Sequence, residues 1–496
     1  MKGNYLIGNE SIDQVRIRDI IKNNLSIELD PSQRELIQNS RVQLLHILKN
    51  SDRPVYGINT GFGALCNTVI EDDQLNTLQS NLVRSHACGF GDLVAPEICR
   101  LVLLLKILGL TKGYSAVSME LIEFLIQLYN AKMYPVIPQM GSLGASGDLA
   151  PLAHLSLACL EEGSIYFNNE IHETKNILKL QNIQAHSLKA KEGLALLNGT
   201  QYSLALLLNA FWTASDCYIN ANMIAALSME AFNCNISFLH PKIHEIRNQT
   251  GQILAAQDLR TWFDGSDTDN RENKSVQDPY SFRCAPQVHG ASLDVIHHCE
   301  KIINNEINSV TDNPLLISKD EIISGGNFHA QPLALASDFL CLALSELANI
   351  SERRLYQLIC GNRGLPDFLT SEPGLNSGYM IVQYAAAAAV SMNKQFCTPS
   401  SVDSIISSKG QEDHVSMAAN AGIKCNKVAD QTEMVLAMEW MTSSRAWHFR
   451  KDWTLHAKLL KIWKEYTSLI PFKKDDHIPS QDYSNTISFL RNIPQT

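Results

Sequence analysis

Long apolar stretches that lack the alternation of a β-strand are the feature that most limits how this chain can fold. They dominate from Met119 onward, and the spacing of their apolar residues is typical of helices. The clearest are MELIEFLIQLY, LALLNGTQYSLALLLNAFWTASDCYINANMIAALSMEAF, PLALASDFLCLALSELANISERRLYQLI, YAAAAAVSMNKQF and HVSMAANAGIKCNKVADQTEMVLAMEWMTSSRAWHF. Helices of this length bury their apolar sides by packing against one another. The sequence therefore predicts a mainly α protein built as a bundle of long helices.

Residues 1–112 differ from this pattern because they mix short elements with turns. We therefore expect a smaller mixed N-terminal domain over 1–112, followed by an elongated helical-bundle domain over 113–496. A helix over Asp73–His86 would carry one apolar face, formed by Leu75, Leu78, Leu82 and His86. Within the second domain, SIYFNNEIHE (164–173) predicts a β-hairpin that turns at Asn168-Asn169.

The composition argues against several classes of function. The formal charge is −10 with a pI near 5.8, and the chain has no run of Lys and Arg, so nucleic-acid binding is not expected. The 12 cysteines are scattered from Cys66 to Cys425 without a Cys-x-x-Cys pair, as in reduced cytosolic proteins. The most apolar window, 101–110, is too short to span a bilayer and contains Lys106, and no signal-peptide pattern begins the chain. We expect a soluble, cytoplasmic protein without a membrane partner.

Two histidine clusters are possible parts of a metal site. His240 and His244 are four residues apart, and His297-His298-Cys299 are consecutive. Neither belongs to an H-E-x-x-H pattern, and no further ligand is evident for either cluster. We expect no bound metal.

Polar, glycine-rich loops separate the helical stretches, and loops held by a rigid scaffold commonly carry the chemistry of an enzyme. Five such loops stand out, at 56–63, 141–148, 275–284, 324–332 and 407–417. Their number indicates one composite site.

The loop at 141–148 leads into a predicted helix. Asp148 is a good N-cap and Pro151 fits a first helical turn, so we expect a helix from Leu149 to Gly163 with its positive end toward the loop. The loop lacks the Lys-Ser/Thr of a P-loop, which argues against phosphate binding. A tight connection is the simplest alternative interpretation.

The tripeptide Ala145-Ser146-Gly147 within this loop allows a reaction of the backbone itself. A glycine amide nitrogen is unhindered by a Cβ and can attack the carbonyl carbon two residues earlier in a tight turn. Loss of water closes a five-membered ring, and dehydration of the serine leaves an exocyclic methylidene. The tripeptide alone is common, so its surroundings must decide.

The surroundings resemble a known family. Together with GSLGASGDLAPLAH they include YGINTGFG, NLVRSHACG, EGLALLNGTQ, VQDPYSFRCAPQVHG, EINSVTDNP, GGNFHAQPLA and QEDHVSM. In this order, and over nearly all of residues 50–420, the sequence resembles the aromatic amino acid ammonia-lyases. These enzymes carry a 4-methylidene-imidazol-5-one (MIO) group formed from Ala-Ser-Gly. The resemblance implies the long-helix bundle of the ammonia-lyase and fumarase-like superfamily, assembled as a homotetramer whose subunits share active sites.

The resemblance also implies a role for individual residues. Ala145, Ser146 and Gly147 would form MIO as a covalent cofactor, Tyr56 would remove the β-proton, and Arg283 would bind the substrate carboxylate. Polar and aromatic residues would complete the site: Gln277 and Tyr280 near the amine and MIO, Asn198 beside the MIO carbonyl, Phe328 as an aromatic wall, and Gln411 at the substrate.

His86 and Glu412 bear on which amino acid is the substrate. Without the resemblance, His86 would be a core histidine on an apolar face, and Glu412 would be an acidic residue that favours a helix N-terminus. In the family, these positions mark the members that convert L-histidine to trans-urocanate and ammonia. His86 with Glu412 can complement the donor and the acceptor of an imidazole. A lyase or aminomutase for tyrosine or phenylalanine is the alternative, and a catalytically silent homologue is a further one.

Overall fold

The computed structural model describes residues 3–50, 55–61, 68, 70–272 and 274–493. Two positions considered above, Gly63 at the end of the first loop and Cys66, lie outside the described residues. The structure is mainly α-helical, with long helices and a few small sheets, as the apolar stretches predict.

The elements up to the first long helix, in chain order, are β1 (Asn4–Ile7), α1 (Gln14–Lys22), β2 (Ser26–Leu29), α2 (Pro31–Asn50), α3 (Leu75–His86), β3 (Phe90–Leu93), α4 (Pro96–Thr111), α5 (Met119–Asn130), β4 (Tyr134–Pro135), β5 (Pro138–Met140), α6 (Leu149–Ser156), β6 (Ser164–Phe167), β7 (Glu170–Glu173), α7 (Thr174–Leu180) and α8 (Glu192–Leu197). The remaining elements are α9 (Gln201–Phe232), α10 (Pro241–Arg247), α11 (Thr250–Arg260), α12 (Tyr280–Arg283), α13 (Ala285–Ile307), β8 (Leu315–Ser318), β9 (Glu321–Ile323), α14 (Gln331–Ile359), α15 (Met380–Phe396), α16 (Ala418–His448), α17 (Ala457–Leu469) and α18 (Ser480–Arg491).

These elements form two compact units. The first contains Met1–Asn209, Glu300–Ser337 and Pro399–Ile423, and the second contains Ala210–Cys299, Asp338–Thr398 and Lys424–Thr496. This division does not follow the boundary expected at residue 112, which stays a prediction.

The first unit holds the described sheets, all of them small. Strands β1 and β2 are parallel, β3 pairs antiparallel with β5, β8 pairs antiparallel with β9, and the order of the three-stranded sheet is β4-β6-β7. The predicted hairpin is confirmed as β6 and β7, because Asn168 and Asn169 both take the positive φ of a two-residue hairpin turn. Helices α3, α6 and α8 pack against one another.

Helix α3 confirms the predicted apolar face of the segment that ends at His86. It begins at Leu75 after a short 3₁₀ turn at Asp72–Gln74. Leu75 and Leu82 are buried, and His86 is partly buried at the C-terminal end of the same face.

One predicted helix is wrong because it is broken at Asn198-Gly199. The run LALLNGTQ…MEAF was expected to be continuous, but α8 ends at Leu197 and α9 begins at Gln201. Asn198 is extended, and Gly199 has a φ of +129°, which a side chain would strain. The Asn-Gly pair therefore ends one helix and redirects the chain into the next.

Two further helices are shorter than expected. The helix after the 141–148 loop ends at Ser156 and passes into a 3₁₀ turn over Leu157–Leu160, well before Gly163. The run that begins at His414 becomes helical only at Ala418, because Met417 has a φ of +53°.

Helix α14 is long and apolar enough to cross a membrane by length and composition, but 72% of its most apolar window is buried inside the protein. A buried core helix meets the same criteria. The cysteines that the structure describes are free thiols.

A buried polar network joins the long helices of the second unit. Glu439 of α16 accepts hydrogen bonds from Arg354 of α14, at 2.6 Å from Nε and 2.8 Å from Nη2. The Ser228 hydroxyl of α9 donates to the same carboxylate at 2.7 Å. Burial and the Arg354 charge hold the pKa of His289, on α13, well below its ordinary value, so its neutral Nε2 accepts from Arg354 at 3.3 Å. Each buried charge depends on the other for its compensation.

We predict that Glu439→Gln lowers the free energy of unfolding by about 3–5 kcal/mol, because it leaves the Arg354 charge buried without a counter-ion. Urea unfolding followed by circular dichroism measures the change. The matched control is Glu465→Gln, which removes the exposed partner of Lys461 and should cost less than about 1 kcal/mol. Equal effects of the two substitutions would contradict the prediction.

Candidate active site

Two cavities of the first unit bring most of the sequence-predicted site residues together. One has a volume of about 580 Å³ and is lined by Tyr56, Ala145, Ser146, Phe328, Gln411 and Glu412, among others. The other has a volume of about 560 Å³ and is lined by Tyr56, His86, Ser146, Asn198 and Glu412, among others. Because Tyr56, Ser146 and Glu412 line both, the two cavities meet at the serine of the Ala-Ser-Gly tripeptide.

A backbone contact between two glycines positions this tripeptide. Gly147 has a φ of +76° and forms a parallel bridge with Gly199. A Cβ on Gly147 would overlap the Gly199 carbonyl, so only glycine fits here. The next amide, Asp148 N–H, donates to Gly199 O at 2.8 Å. The segment between α8 and α9 therefore contacts the loop that ends at Asp148 directly.

Asp148 is the residue before α6, as predicted, but its side chain does not cap that helix. The carboxylate instead accepts from the backbone N–H of Ser203 at 2.8 Å and from the Ser203 hydroxyl at 2.7 Å. It therefore satisfies the first turn of α9. Complete burial outweighs these bonds and raises the pKa of Asp148 to about 6. Asp148 thus occupies the predicted N-cap position, but its carboxylate bonds to the first turn of α9 and not to α6.

Asn198 holds its side-chain amide in one orientation. Nδ2 donates to the Asn313 carbonyl at 2.6 Å, and a carbonyl can only accept, so the two ends of the amide cannot be exchanged. The other end, Oδ1, is buried and has no hydrogen-bond partner among the described residues. A buried acceptor of this kind is costly unless a donor is supplied. Asn198 and Ser146 line the same cavity, so the space beside Asn198 Oδ1 suits a bound group that carries an N–H or O–H.

His86 presents one ring nitrogen as an acceptor. Its Nδ1 lies 2.9 Å from the Leu82 carbonyl and 3.0 Å from the Ser85 hydroxyl. Because the carbonyl cannot donate, Nδ1 carries the proton, and Nε2 of the neutral ring has a free lone pair. Burial lowers the pKa of His86, although the Leu82 carbonyl and Glu412 act in the opposite direction. The lowered pKa favours the neutral ring.

Glu412 is the second acceptor in the same cavity. Its Oε2 accepts from the Ser407 hydroxyl at 2.8 Å and from the Ser408 hydroxyl at 2.9 Å. A backbone bridge between Ser407 and Glu412 closes this turn. The carboxylate is thus held in place, and it lines the cavity together with His86.

Tyr56 lies on a turn held by short hydrogen bonds. The Val55 N–H donates to Asn59 Oδ1 at 2.6 Å, and the Gly57 N–H donates to Thr60 Oγ1 at 3.1 Å. Gly57 takes a φ of +65°, which glycine allows without strain. These bonds fix the described part of the loop and direct Tyr56 into both cavities.

Two histidines that the sequence analysis did not single out also line the larger cavity. His329 Nε2 lies 3.2 Å from His414 Nδ1, and the rings stack with centroids 5.3 Å apart. His329 directly follows Phe328, and His414 comes two residues after Glu412. The motifs FHA and EDH therefore contain both histidines and could have identified them from the sequence.

The other three predicted residues belong to the second unit. Arg283 Nη2 donates to Gln277 Oε1 at 3.2 Å, and its guanidinium lies 4.5 Å from the centre of the Tyr280 ring. Arg283 Nε donates to the Asp278 carbonyl at 3.2 Å. The three side chains form one cluster around α12 in which a planar cation is held by a carbonyl, an amide and an aromatic ring.

The described residues contain no group of three or more His, Cys, Asp or Glu side chains placed to hold a metal ion. His240 Nδ1 accepts from the Lys242 N–H at 3.2 Å, which places it at the start of α10. His244 Nε2 lies 3.0 Å from the Phe238 carbonyl and its Nδ1 lies 2.9 Å from Gln252 Nε2. Both histidines, His240 and His244, are therefore hydrogen-bonded to neighbouring residues of the second unit.

Comparison with known proteins identifies the family of this chain. The family model for aromatic amino acid lyases matches residues 12–467. The chain is 40% identical to the histidine ammonia-lyase of Staphylococcus saprophyticus, over 96% of this chain and 97% of that protein. Among solved structures, histidine ammonia-lyase from Trypanosoma cruzi is 36% identical with a TM-score of 0.91, covering 98% of this chain and 93% of that one. Tyrosine aminomutase from Streptomyces globisporus is 30% identical with a TM-score of 0.93, covering 98% and 96%. The chain belongs to the aromatic amino acid lyase family.

Proposed function

We propose that this chain eliminates ammonia from L-histidine, without oxidation, to give trans-urocanate. The observation that carries the proposal is the shared cavity, in which the serine of Ala-Ser-Gly lies with the acceptors His86 and Glu412. The similarity to histidine ammonia-lyases over nearly the whole chain supports the same reaction. We further propose a cytoplasmic homotetramer whose subunits share active sites, as the family resemblance implies.

Formation of MIO from Ala145-Ser146-Gly147 is part of the proposal. The Gly147 amide nitrogen would bond to the Ala145 carbonyl carbon, whose oxygen leaves as water, and Ser146 would lose a second water from its Cα and Cβ. Two features support the fit: the positive φ of Gly147 and its contact with Gly199. The finished group supplies the electrophile that turns the substrate amine into a leaving group.

The side chains of the chain itself supply binding and proton transfer. Tyr56 would remove the β-proton at its phenol oxygen, which requires that it be ionised and therefore needs a setting that favours the phenolate. Arg283 would hold the substrate carboxylate through its planar guanidinium, with Gln277 and Tyr280 around the amine. Phe328 would form the aromatic wall, and Gln411 would contact the substrate beside Glu412.

The substrate follows from two acceptors in one cavity. Neutral His86 offers the Nε2 lone pair, and Glu412 offers a carboxylate held by Ser407 and Ser408. A neutral imidazole has one N–H and can therefore donate to only one of these two acceptors. It can bond to both His86 and Glu412 when one of the three groups carries one more proton, whether His86, Glu412 or the substrate ring itself. This refines the expectation that the pair complements one donor and one acceptor. A phenol supplies a single donor and a phenyl ring none, which leaves acceptors unpaired at about 1–3 kcal/mol each.

A substrate panel tests the reaction. Incubation with L-histidine, L-tyrosine and L-phenylalanine should give a new ultraviolet chromophore with histidine only, because only its ring supplies hydrogen bonds to both acceptors. Absorbance spectra measure each product separately. Equal or faster conversion of tyrosine or phenylalanine would favour the alternative lyases or aminomutases, and no conversion of any of the three would favour a silent homologue.

We predict that Glu412→Gln lowers kcat/KM for histidine by about 10–100-fold, since a charge-assisted hydrogen bond of about 1.5–3 kcal/mol is lost. The control is Glu162→Gln, the same substitution in an exposed pair with Arg84, which should leave kcat/KM unchanged. An unaltered kcat/KM in Glu412→Gln would remove this residue from the proposed site.

We predict that Ser146→Ala abolishes turnover, because alanine has no hydroxyl to lose and no methylidene can form. Intact mass spectrometry of the wild-type chain should show two waters fewer than the encoded mass, and the variant one at most. Ser156→Ala, which removes a buried hydroxyl from α6, is the control and should keep both losses. Turnover by Ser146→Ala would rule out the assignment.

A further inference from the structure

Lys106 is a buried cation that the proposed reaction does not use. It lies on α4 with 1% of its surface exposed. Nζ donates to the Ala195 carbonyl at 3.1 Å and to the Asn198 carbonyl at 2.7 Å. Both carbonyls lie at the C-terminal end of α8, where the helix dipole is negative and a cation is favourable.

The position of Lys106 is costly, which indicates a specific role. Burial, with a smaller effect of the Lys191 charge, lowers the pKa of Lys106 to about 7, even though the charges of Asp312 and Asp148 act in the opposite direction. Asp312 itself bonds to Lys191 at 2.6 Å. Among the described residues no carboxylate lies within ion-pair distance of the Lys106 ammonium, so its direct partners are the two carbonyls. An apolar side chain of similar length would avoid this cost.

Lys106 is one of three groups that hold the Asn198-Gly199 segment. It binds the Asn198 carbonyl, Asn313 O accepts from the Asn198 side chain at 2.6 Å, and Asp148 N–H donates to Gly199 O at 2.8 Å. Lys106 is the member of the three that comes from α4. Without it, the extended peptide between α8 and α9 would lose its anchor on the side of α4.

This segment is the one that limits the space around Gly147. The Gly199 carbonyl lies where a Cβ on Gly147 would be, and the two glycines form a backbone bridge. Ring closure of Ala145-Ser146-Gly147 requires the Gly147 nitrogen to stay close to the Ala145 carbonyl carbon. Holding a reacting pair close is an entropic advantage that a loosened segment would lose.

We infer that Lys106 is a positioning residue for cyclisation: by anchoring Asn198-Gly199 from α4, it keeps the Gly199 backbone pressed on Gly147. The inference rests on the proposed formation of MIO. It assigns no contact with substrate to Lys106, which acts only through the Asn198-Gly199 backbone.

The test compares the wild-type chain with Lys106→Met, Lys106→Gln and the control Lys112→Met, which changes a lysine at the C-terminal end of the same helix. Each protein is purified as the folded fraction, identified by gel filtration and a wild-type circular dichroism spectrum. Intact mass then gives the fraction of chains that has lost two waters.

We expect full loss of two waters in the wild type and in Lys112→Met. The dehydrated fraction should fall at least about tenfold in folded Lys106→Met, because both hydrogen bonds from Nζ are lost. Lys106→Gln keeps an uncharged donor but is too short to reach both carbonyls, so its dehydrated fraction should also fall; it serves the test if the methionine variant does not fold. Full dehydration of either folded variant would overturn the inference. Absence of the two-water loss in the wild type would instead overturn the proposed MIO group.

Discussion

The contact between the backbones of Gly147 and Gly199 is the constraint on which the site depends. It exists because Asn198-Gly199 ends α8 and redirects the chain before α9. The same contact fixes the first amide after the tripeptide, since Asp148 N–H donates to Gly199 O. Neither glycine can be replaced without a clash or strain. The break between α8 and α9 is thus what sets the shape of the loop that contains Ala145-Ser146-Gly147.

Buried polar groups lie around this contact, and two of the charged ones bond to neighbours from a different element. Asp148 satisfies the first turn of α9, while Lys106 binds the last carbonyls of α8. Helix termini leave such groups unpaired by necessity, and a chain broken into two helices creates one more terminus of each kind. The break between α8 and α9 therefore needs both a buried carboxylate and a buried ammonium. Two acceptors beside it, Asn198 Oδ1 and Gln201 Oε1, have no hydrogen-bond partner among the described residues.

Local patterns predicted the elements whose causes are local. Two asparagines with positive φ were enough to place the hairpin of β6 and β7, and the apolar spacing located α3 to within two residues. The break at Asn198-Gly199 and the bond from Asp148 to Ser203 depend on contacts between distant parts of the chain, so apolar periodicity missed the first and capping rules missed the second. The site residues came from motif resemblance. Spacing alone would have predicted a core histidine at His86. Its tautomer follows only from the structure, because Nδ1 lies beside the Leu82 carbonyl.

In the proposed reaction, chemistry and selectivity would reside on separate elements. The tripeptide loop and the Asn198-Gly199 segment are shaped by backbone contacts, which depend little on what the substrate ring is. His86 and Glu412 lie on α3 and on the turn after Ser407, and they act through side chains that can change without disturbing the loop. A change at these two positions would therefore alter which substrate side chain is bound, while the proposed cyclisation of Ala145-Ser146-Gly147 would be unaffected. Under the proposed function, selectivity for imidazole would come from two acceptors and one shared proton, while the backbone contact between the glycines would hold the Ala-Ser-Gly loop in the same shape for any substrate.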